Sequence, residues 1–376
     1  MLEFNKLSYW EKETYINHTD YLVIGSGIVG LSTAIHLKQR HPSKKVTVLE
    51  RGYLPTGASS KNAGFSCIGS PTELLDDLAH QPATDVFATV AKRWEGLNYL
   101  RSLLGDTGID YQSNGSYELF TNKDAQRYSE SIKRLPELNA ELEKITRIKD
   151  VFSPHNTICQ DYGFNGFNKA INHKAEGQID TGRMIRSLLQ LAYTNDINIL
   201  NGIKVETIEN KEAITSLGKI KFEKAAICTN GFARHFLPAE DVHPARAQVV
   251  VTSPIPDLKI KGIFHFDQGY YYFRNIGNRI LFGGGRNLDF KGEQTEAQEN
   301  TSLIVNQLEH LLTTQILPET PFKIEHQWAG TMGVGQAKKP IIKAINPHLF
   351  CGIRLGGMGV AIGSIVGKEL AELMTS

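Results

Sequence analysis

Residues 21–51 read YLVIGSGIVGLSTAIHLKQRHPSKKVTVLER. Residues 21–24 form a short apolar run of the kind that makes a buried parallel strand, and Gly25, Gly27 and Gly30 follow it as G-x-G-x-x-G. In that spacing Gly25 lets the chain turn, Gly27 lacks the β-carbon that would hold off a pyrophosphate, and Gly30 lets the next helix pack close to the strand. The free N–H groups at the start of that helix favour an anion, by about 0.3–1 kcal/mol per exposed charge. Leu31, Ala34, Ile35 and Leu37 give the helix an apolar face, and residues 46–49 read as a second strand that ends in Glu50 and Arg51. A carboxylate at Glu50 suits the two hydroxyls of a ribose. Strand, glycines, helix, strand and terminal acid together predict a dinucleotide site, and the motif alone leaves FAD and NAD both open.

At 376 residues the chain can hold one large or two ordinary domains. Its 41 Lys and Arg balance 40 Asp and Glu, so no global field draws it to nucleic acid or to an anionic membrane. The first 20 residues scatter charges where a secretory signal needs an apolar core, and nowhere do 18 apolar residues run together. Cys67, Cys159, Cys228 and Cys351 lie far apart and form no C-x-x-C pair, which points to a reduced, cytoplasmic setting. Cys67, in GFSCIGS, reads as a small packing residue or as a flavin attachment point. The histidines show no metal-binding spacing, so no metal is expected.

The remaining chain alternates in character. A Gly-, Ser- and Asn-rich loop occupies residues 51–71, and an amphipathic helix follows, carried by Val86, Val90, Trp94, Leu97, Leu100 and Leu104. A second helical pattern over residues 125–145 meets Pro136, which predicts a kink or a new start. Residues 177–200 return to an α/β pattern, 222 and 225–228 read as strands, 246–285 as short antiparallel strands, 296–312 as a helix, and 348–353 as a strand before a C-terminal helix. The fold class is therefore α/β plus β: a Rossmann-like nucleotide-binding domain, FAD-binding if the resemblance described next holds, from residues 1–80, 150–240 and 325–376, and a mixed β-sheet substrate domain inserted as 81–149 and 241–324.

Five separated stretches carry a resemblance to the D-amino acid oxidase family of FAD-dependent oxidoreductases, in the branch of glycine oxidase, sarcosine oxidase and γ-glutamylputrescine oxidase. They are IGSGIVG with Glu50, GASSKNAGF at residues 57–65, GQID before a helix, CTNG at a strand end, and GIRLGGMGVAIG near the C-terminus. The resemblance implies noncovalent FAD. Its adenosine would lie at Gly25, Ser26, Gly27, Ile28, Val29 and Gly30 with Glu50 and Arg51. Its flavin would lie against Gly57, Ala58, Ser59, Ser60 and Lys61, continuing through Asn62, Ala63, Gly64 and Phe65. Val205 matches the position whose backbone faces adenine, and Thr229, Asn230, Gly231 and Gly330 match further contacts. Gly357, Met358, Gly359 and Val360 would present a helix N-terminus to the flavin's N1–C2=O edge. Lys61 reads as a group at the pyrophosphate or flavin rim, or as a solvated surface lysine.

The implied reaction removes hydride from a carbon beside a neutral amine nitrogen, gives an imine that water hydrolyses, and passes electrons to dioxygen or another acceptor. No catalytic residue is assigned, because an amine bound deprotonated needs no base. The sequence departs from amino-acid-oxidising relatives at two places. Where they carry W-x-G-x-R, Trp328, Gly330 and Thr331 lead to Met332; where sarcosine oxidases carry a lysine after their C-terminal glycines, Ala361 stands. Both cationic grips on a substrate carboxylate are thus missing. Tyr270 and Tyr272, with Arg274 two residues on, line a pocket or form a cross-strand aromatic layer. Arg354 reaches the flavin, the substrate or an acidic surface partner. The leading reading is a small-molecule amine oxidase or dehydrogenase of the γ-glutamylputrescine type, which the similar Ser8-Tyr9-Trp10 supports. An amino-acid oxidase of the glycine type, a NAD-binding dehydrogenase and a noncatalytic flavin-binding protein are the alternatives.

Overall fold

The structure is a computed structural model that describes residues 6–376. Two eight-stranded sheets organise it. At the centre of the first, His18–Ile24 pairs in parallel with Val46–Glu50 on one side and Gly218–Ile227 on the other. Asn198–Asn201 extends one edge and Leu349–Ile353 the other, both in parallel, while Ile341–Asn346 closes the second edge antiparallel. Alternation along the central strand decides its two faces. Tyr21 and Val23 join a core made with the helices Ile28–Arg40, Thr181–Thr194 and Gly359–Thr375, whereas Leu22 and Ile24 join a second core with Phe222, Ile227 and Ile353.

The C-terminal helix fits between neighbours because it lacks side chains where they meet. A β-carbon at Gly367 would lie 2.7 Å from the carbonyl oxygen of Val29, and one at Gly96, in the helix Ala83–Leu104, would lie 2.3 Å from that of Ala361. Close approach of this kind fixes which glycines the helix–helix seam requires.

The second sheet runs in the order Ile324–Val334, His243–Thr252, Arg279–Gly284, Tyr271–Ile276, Ile263–Phe266, Ser116–Thr121, Phe167–His173 and Phe152–Pro154. One face is aromatic: Phe264 stacks on Phe273 with centroids 4.8 Å apart, and Phe164 meets both edge-on. The helix Ser302–Leu311 covers this side through Ile304, Leu308 and Leu311. The opposite face looks toward the first sheet.

Several elements differ from the sequence reading. Phe152–Pro154, Phe167–His173 and Ile324–Val334 belong to the second sheet, although all of their residues but Ile324 fall within stretches that the reading assigns to the FAD-binding domain. Their hydrogen-bonding edges find partners by register, which chain order does not reveal. The helix Ala125–Thr146 runs unbroken through Pro136, with Leu135, Leu138 and Leu142 packed in one cluster on both sides of the proline. Gly218–Ile227 is a single ten-residue strand rather than two. Tyr9–Glu11 is a short helix capped by Ser8, and Tyr9 and Trp10 are exposed. No helix among the described residues is long and apolar enough to cross a membrane.

Candidate active site

A cavity of about 790 Å³ runs from the glycine turn of the first sheet to the inner face of the second. At one end Gly25, Gly27, Ile28 and Val29 line it, with Glu50 and Val205 nearby. Gly25 has φ +101°, a conformation that favours glycine, and its N–H donates to the Leu49 carbonyl at 2.8 Å. Gly27 caps the helix Ile28–Arg40, whose start therefore opens into the cavity. Glu50 is buried; its Oε2 accepts from the N–H and hydroxyl of Ser26 at 3.1 and 2.9 Å, and its Oε1 from the Gly52 N–H at 2.9 Å. The Arg51 guanidinium lies over the Phe232 ring, 3.9 Å from its centroid.

The loop at residues 57–65 forms the next wall. Gly57, Ala58, Ser59, Lys61, Asn62 and Ala63 face the cavity, and Phe65 continues the surface. Ser59 Oγ accepts from the Ile28 N–H at 2.9 Å and so ties this loop to the glycine turn. Phe65–Ser66 pairs with Gly177–Gln178, and Thr181 Oγ1 donates to Asn62 Oδ1 at 2.9 Å, which locks the GQID stretch beneath the loop. Lys61 Nζ donates to Gln298 Oε1 at 2.7 Å, and burial lowers its pKa. Its stem packs on Gly330, where a β-carbon would come within 3.0 Å of Lys61 Cβ.

Thr229 and Asn230 line the cavity between the two sheets, as do Gly357, Met358, Gly359 and Val360 at the start of the C-terminal helix. From the second sheet come Gly330, Thr331, Met332, Tyr272 and His265. The Tyr272 hydroxyl is pushed up to about 12 by burial, so it stays protonated. Cys67 lines the wall beside Glu176, and burial together with that carboxylate raises its thiol pKa well above the usual range.

Seven residues expected at the site do not line it. Ser26 and Gly30 stand behind the glycine turn, the first bonded to Glu50 and the second pressed on the Gly25 carbonyl. The Ser60 hydroxyl turns to the carbonyls of Pro55 and Gly57, Gly64 lies against the Ile179 carbonyl, and Gly231 lies under Met332. Arg274 does share a face with Tyr272, but the loop covers it: its Nε donates to the Ala63 carbonyl, and burial lowers its pKa to about 10. Arg354 does not line the cavity either. Its Nη1 pairs with Asp241 Oδ2 at 2.8 Å and its Nε donates to the Lys339 carbonyl at 3.0 Å, so it serves the acidic surface partner. Tyr270 precedes its strand and stands exposed at the rim; Tyr271, by contrast, faces the aromatic core.

Sequence reading missed Glu176, His265, Arg286 and Lys338, which line the cavity from four separate stretches. Glu176 accepts from the N–H groups of Ile68 and Gly69 at 2.6 and 3.0 Å and from Ser116 Oγ at 2.5 Å. No local pattern marks any of the four; sheet pairing brings them together.

The wall fits a dinucleotide flavin. Two helix N-termini open into one cavity, a buried carboxylate closes the nucleotide end, and the buried Thr229 Oγ1, Thr331 Oγ1 and His265 Nε2 have no protein partner among the described residues. The family described as FAD dependent oxidoreductase matches residues 20–373. The chain belongs to that family. FAD is its cofactor. The chain is 24% identical to the probable oxidoreductase OrdL of Haemophilus influenzae, over 96% of this chain and 83% of that one. It is 22% identical to the gamma-glutamylputrescine oxidoreductase of Escherichia coli, over 94% and 84%. Glycine oxidase from Bacillus cereus shares its fold, with a TM-score of 0.73 at 19% identity over 95% of each chain.

Proposed function

We propose that this member of the family oxidises the C–N bond of an amine that is not a simple α-amino acid. The observation that carries the reading is Met332: it lines the cavity on the strand Ile324–Val334 and offers no charge. Ala361, the second position where the resemblance places a cation, is buried in the helix core. A carboxylate brought beside the reacting carbon would lack a partner at both places, and an unpaired buried charge is costly. The amine-acting names among relatives, gamma-glutamylputrescine oxidoreductase and glycine oxidase, support the reaction class.

In this reading the glycine turn and Glu50 hold the adenosine half of FAD, while residues 57–65 and the start of the C-terminal helix hold the flavin. Bound FAD supplies the hydride acceptor. The chain's own part is to orient the amine carbon, exclude water and receive charge. Tyr272 and Met332 wall the substrate side, and Tyr272 stays a hydrogen-bond donor because its proton is retained. The N-terminus of the C-terminal helix favours negative charge at its end of the cavity. Electrons pass to dioxygen or another acceptor.

Anaerobic bleaching of the visible flavin band by a panel of amines tests the proposal. Putrescine derivatives should bleach it faster than glycine, sarcosine or D-alanine. A preference for those amino acids by about tenfold in reduction rate over affinity, about 1.4 kcal/mol, would overturn it.

A further inference from the structure

Arg286 opens the short 3₁₀ turn Arg286–Leu288 that follows the strand Arg279–Gly284, and it lines the cavity. It is half-buried. Its Nε is buried without a hydrogen-bond partner, and among the described residues it forms no ion pair. Its one close neighbour of note is the Phe290 ring, whose centroid lies 5.3 Å from the guanidinium carbon. Glu293, the nearby carboxylate, is already taken: it holds Arg246 through two hydrogen bonds of 2.9 and 2.6 Å and accepts from Gln248 at 3.0 Å. Of the other cations, Arg51 lies over Phe232 at the nucleotide end and Lys61 donates to Gln298. Arg354 pairs with Asp241, Arg274 lies beneath the loop, and Lys338 pairs with Asp77 at 2.7 Å.

The place of Arg286 along the cavity matters as much as its charge. Gln268, Gly269 and Tyr270 line the same cavity and are exposed, so this stretch is one of its solvent-facing rims. Tyr270 meets Phe290, the ring beside the guanidinium, edge-on at 5.7 Å. A guanidinium half out of water, beside one aromatic ring and without an ion pair among the described residues, is suited to capture a carboxylate at the cavity mouth.

We infer that Arg286 is a specificity residue that takes the carboxylate of the substrate at the rim, while the amine end enters toward Tyr272 and Met332. The inference rests on the amine reading above and deepens it: the substrate is an amine whose acidic group is separated from the reacting carbon by several bonds.

The test uses the FAD-loaded protein and three probes: glutarate, δ-aminovalerate and, as the acid-free control, n-butylamine. Calorimetry gives dissociation constants, and anaerobic flavin reduction gives rates for the two amines. Arg286→Met should weaken both acids by about tenfold or more, leave n-butylamine within about twofold, and keep wild-type FAD content. Arg286→Lys, which keeps the charge and loses the fork, should restore part of the affinity. If the Met variant loses FAD, Arg286→Gln replaces it. The inference fails if the acids bind the variant as they bind wild type, if n-butylamine weakens in step with them, or if wild type binds neither acid. Failure of the amine reading looks different: neither amine bleaches the flavin, yet the acids still bind in an Arg286-dependent way.

Discussion

A β-carbon on Gly30 would lie 1.9 Å from the carbonyl oxygen of Gly25, so the third glycine of the turn is required by the first. At Gly27 the nearest obstacle is the Ser59 hydroxyl at 2.9 Å, the end of a side chain that can turn away.

The two glycines should therefore fail differently. Gly30→Ala overpacks backbone against backbone and should cost about 1–3 kcal/mol in the apo protein as well as FAD binding. Gly27→Ala should leave apo stability nearly unchanged and lose FAD. Thermal melts of apo protein with flavin content after purification measure both effects; equal apo losses would count against this division.

Glu50→Gln keeps an acceptor for Ser26 but loses the charge at the nucleotide end of the cavity. Hydrogen bonds to charged groups are worth about 1.5–3 kcal/mol, so FAD affinity should fall by about tenfold or more. Fluorescence titration of apo protein with FAD reads this directly.

FAD should leave the protein on acid or heat treatment without proteolysis. Cys67 is the thiol nearest to an attachment role in the cavity wall, and burial beside Glu176 keeps it protonated. A thiol that is not ionised is a poor nucleophile. Flavin fluorescence that travels with the denatured chain on a gel would contradict this.

Stability should fall as pH drops below about 6.5. Burial lowers the pKa of His36 and His173, so both are neutral in the fold. His36 Nδ1 faces the Ser32 carbonyl at 2.7 Å, which leaves Nε2 to accept from the Tyr99 hydroxyl. Below the unfolded value the unfolded chain takes up protons first, so stability is full above pH 6.5 and is lost as pH falls toward the folded values. Melting temperatures from pH 8 to 5 should show the decline, and His36→Asn with His173→Asn should flatten it.

Arg354→Met should leave the flavin spectrum and amine reduction near wild type and should lower the melting temperature, because the guanidinium joins Asp241 and Lys339 outside the cavity. A large loss of reduction rate at unchanged FAD content would return Arg354 to the site.

The nucleotide end was legible in residues 21–51 because the contacts that shape the turn and Glu50 are local: strand pairing with residues 46–49 and the Ser26–Glu50 bonds lie within one βαβ unit. The aromatic stretch at residues 270–274 was legible only in part. Alternation correctly separates Tyr271 from Tyr272, yet it cannot tell that Arg274 is capped by the Ala63 carbonyl from 211 residues away in sequence.

What the sequence by itself determined is the dinucleotide turn, its carboxylate, the strand–helix alternation of the first sheet and the uncharged residues at 332 and 361, since these follow from short-range backbone conformation and residue type. Only the tertiary structure decided that strands 152–154, 167–173 and 324–334 join the second sheet, that Arg354 turns to Asp241, and that Arg286 stands unpaired at the rim. Those outcomes depend on strand register and on which carboxylates are already occupied, and both are properties of contacts between distant segments.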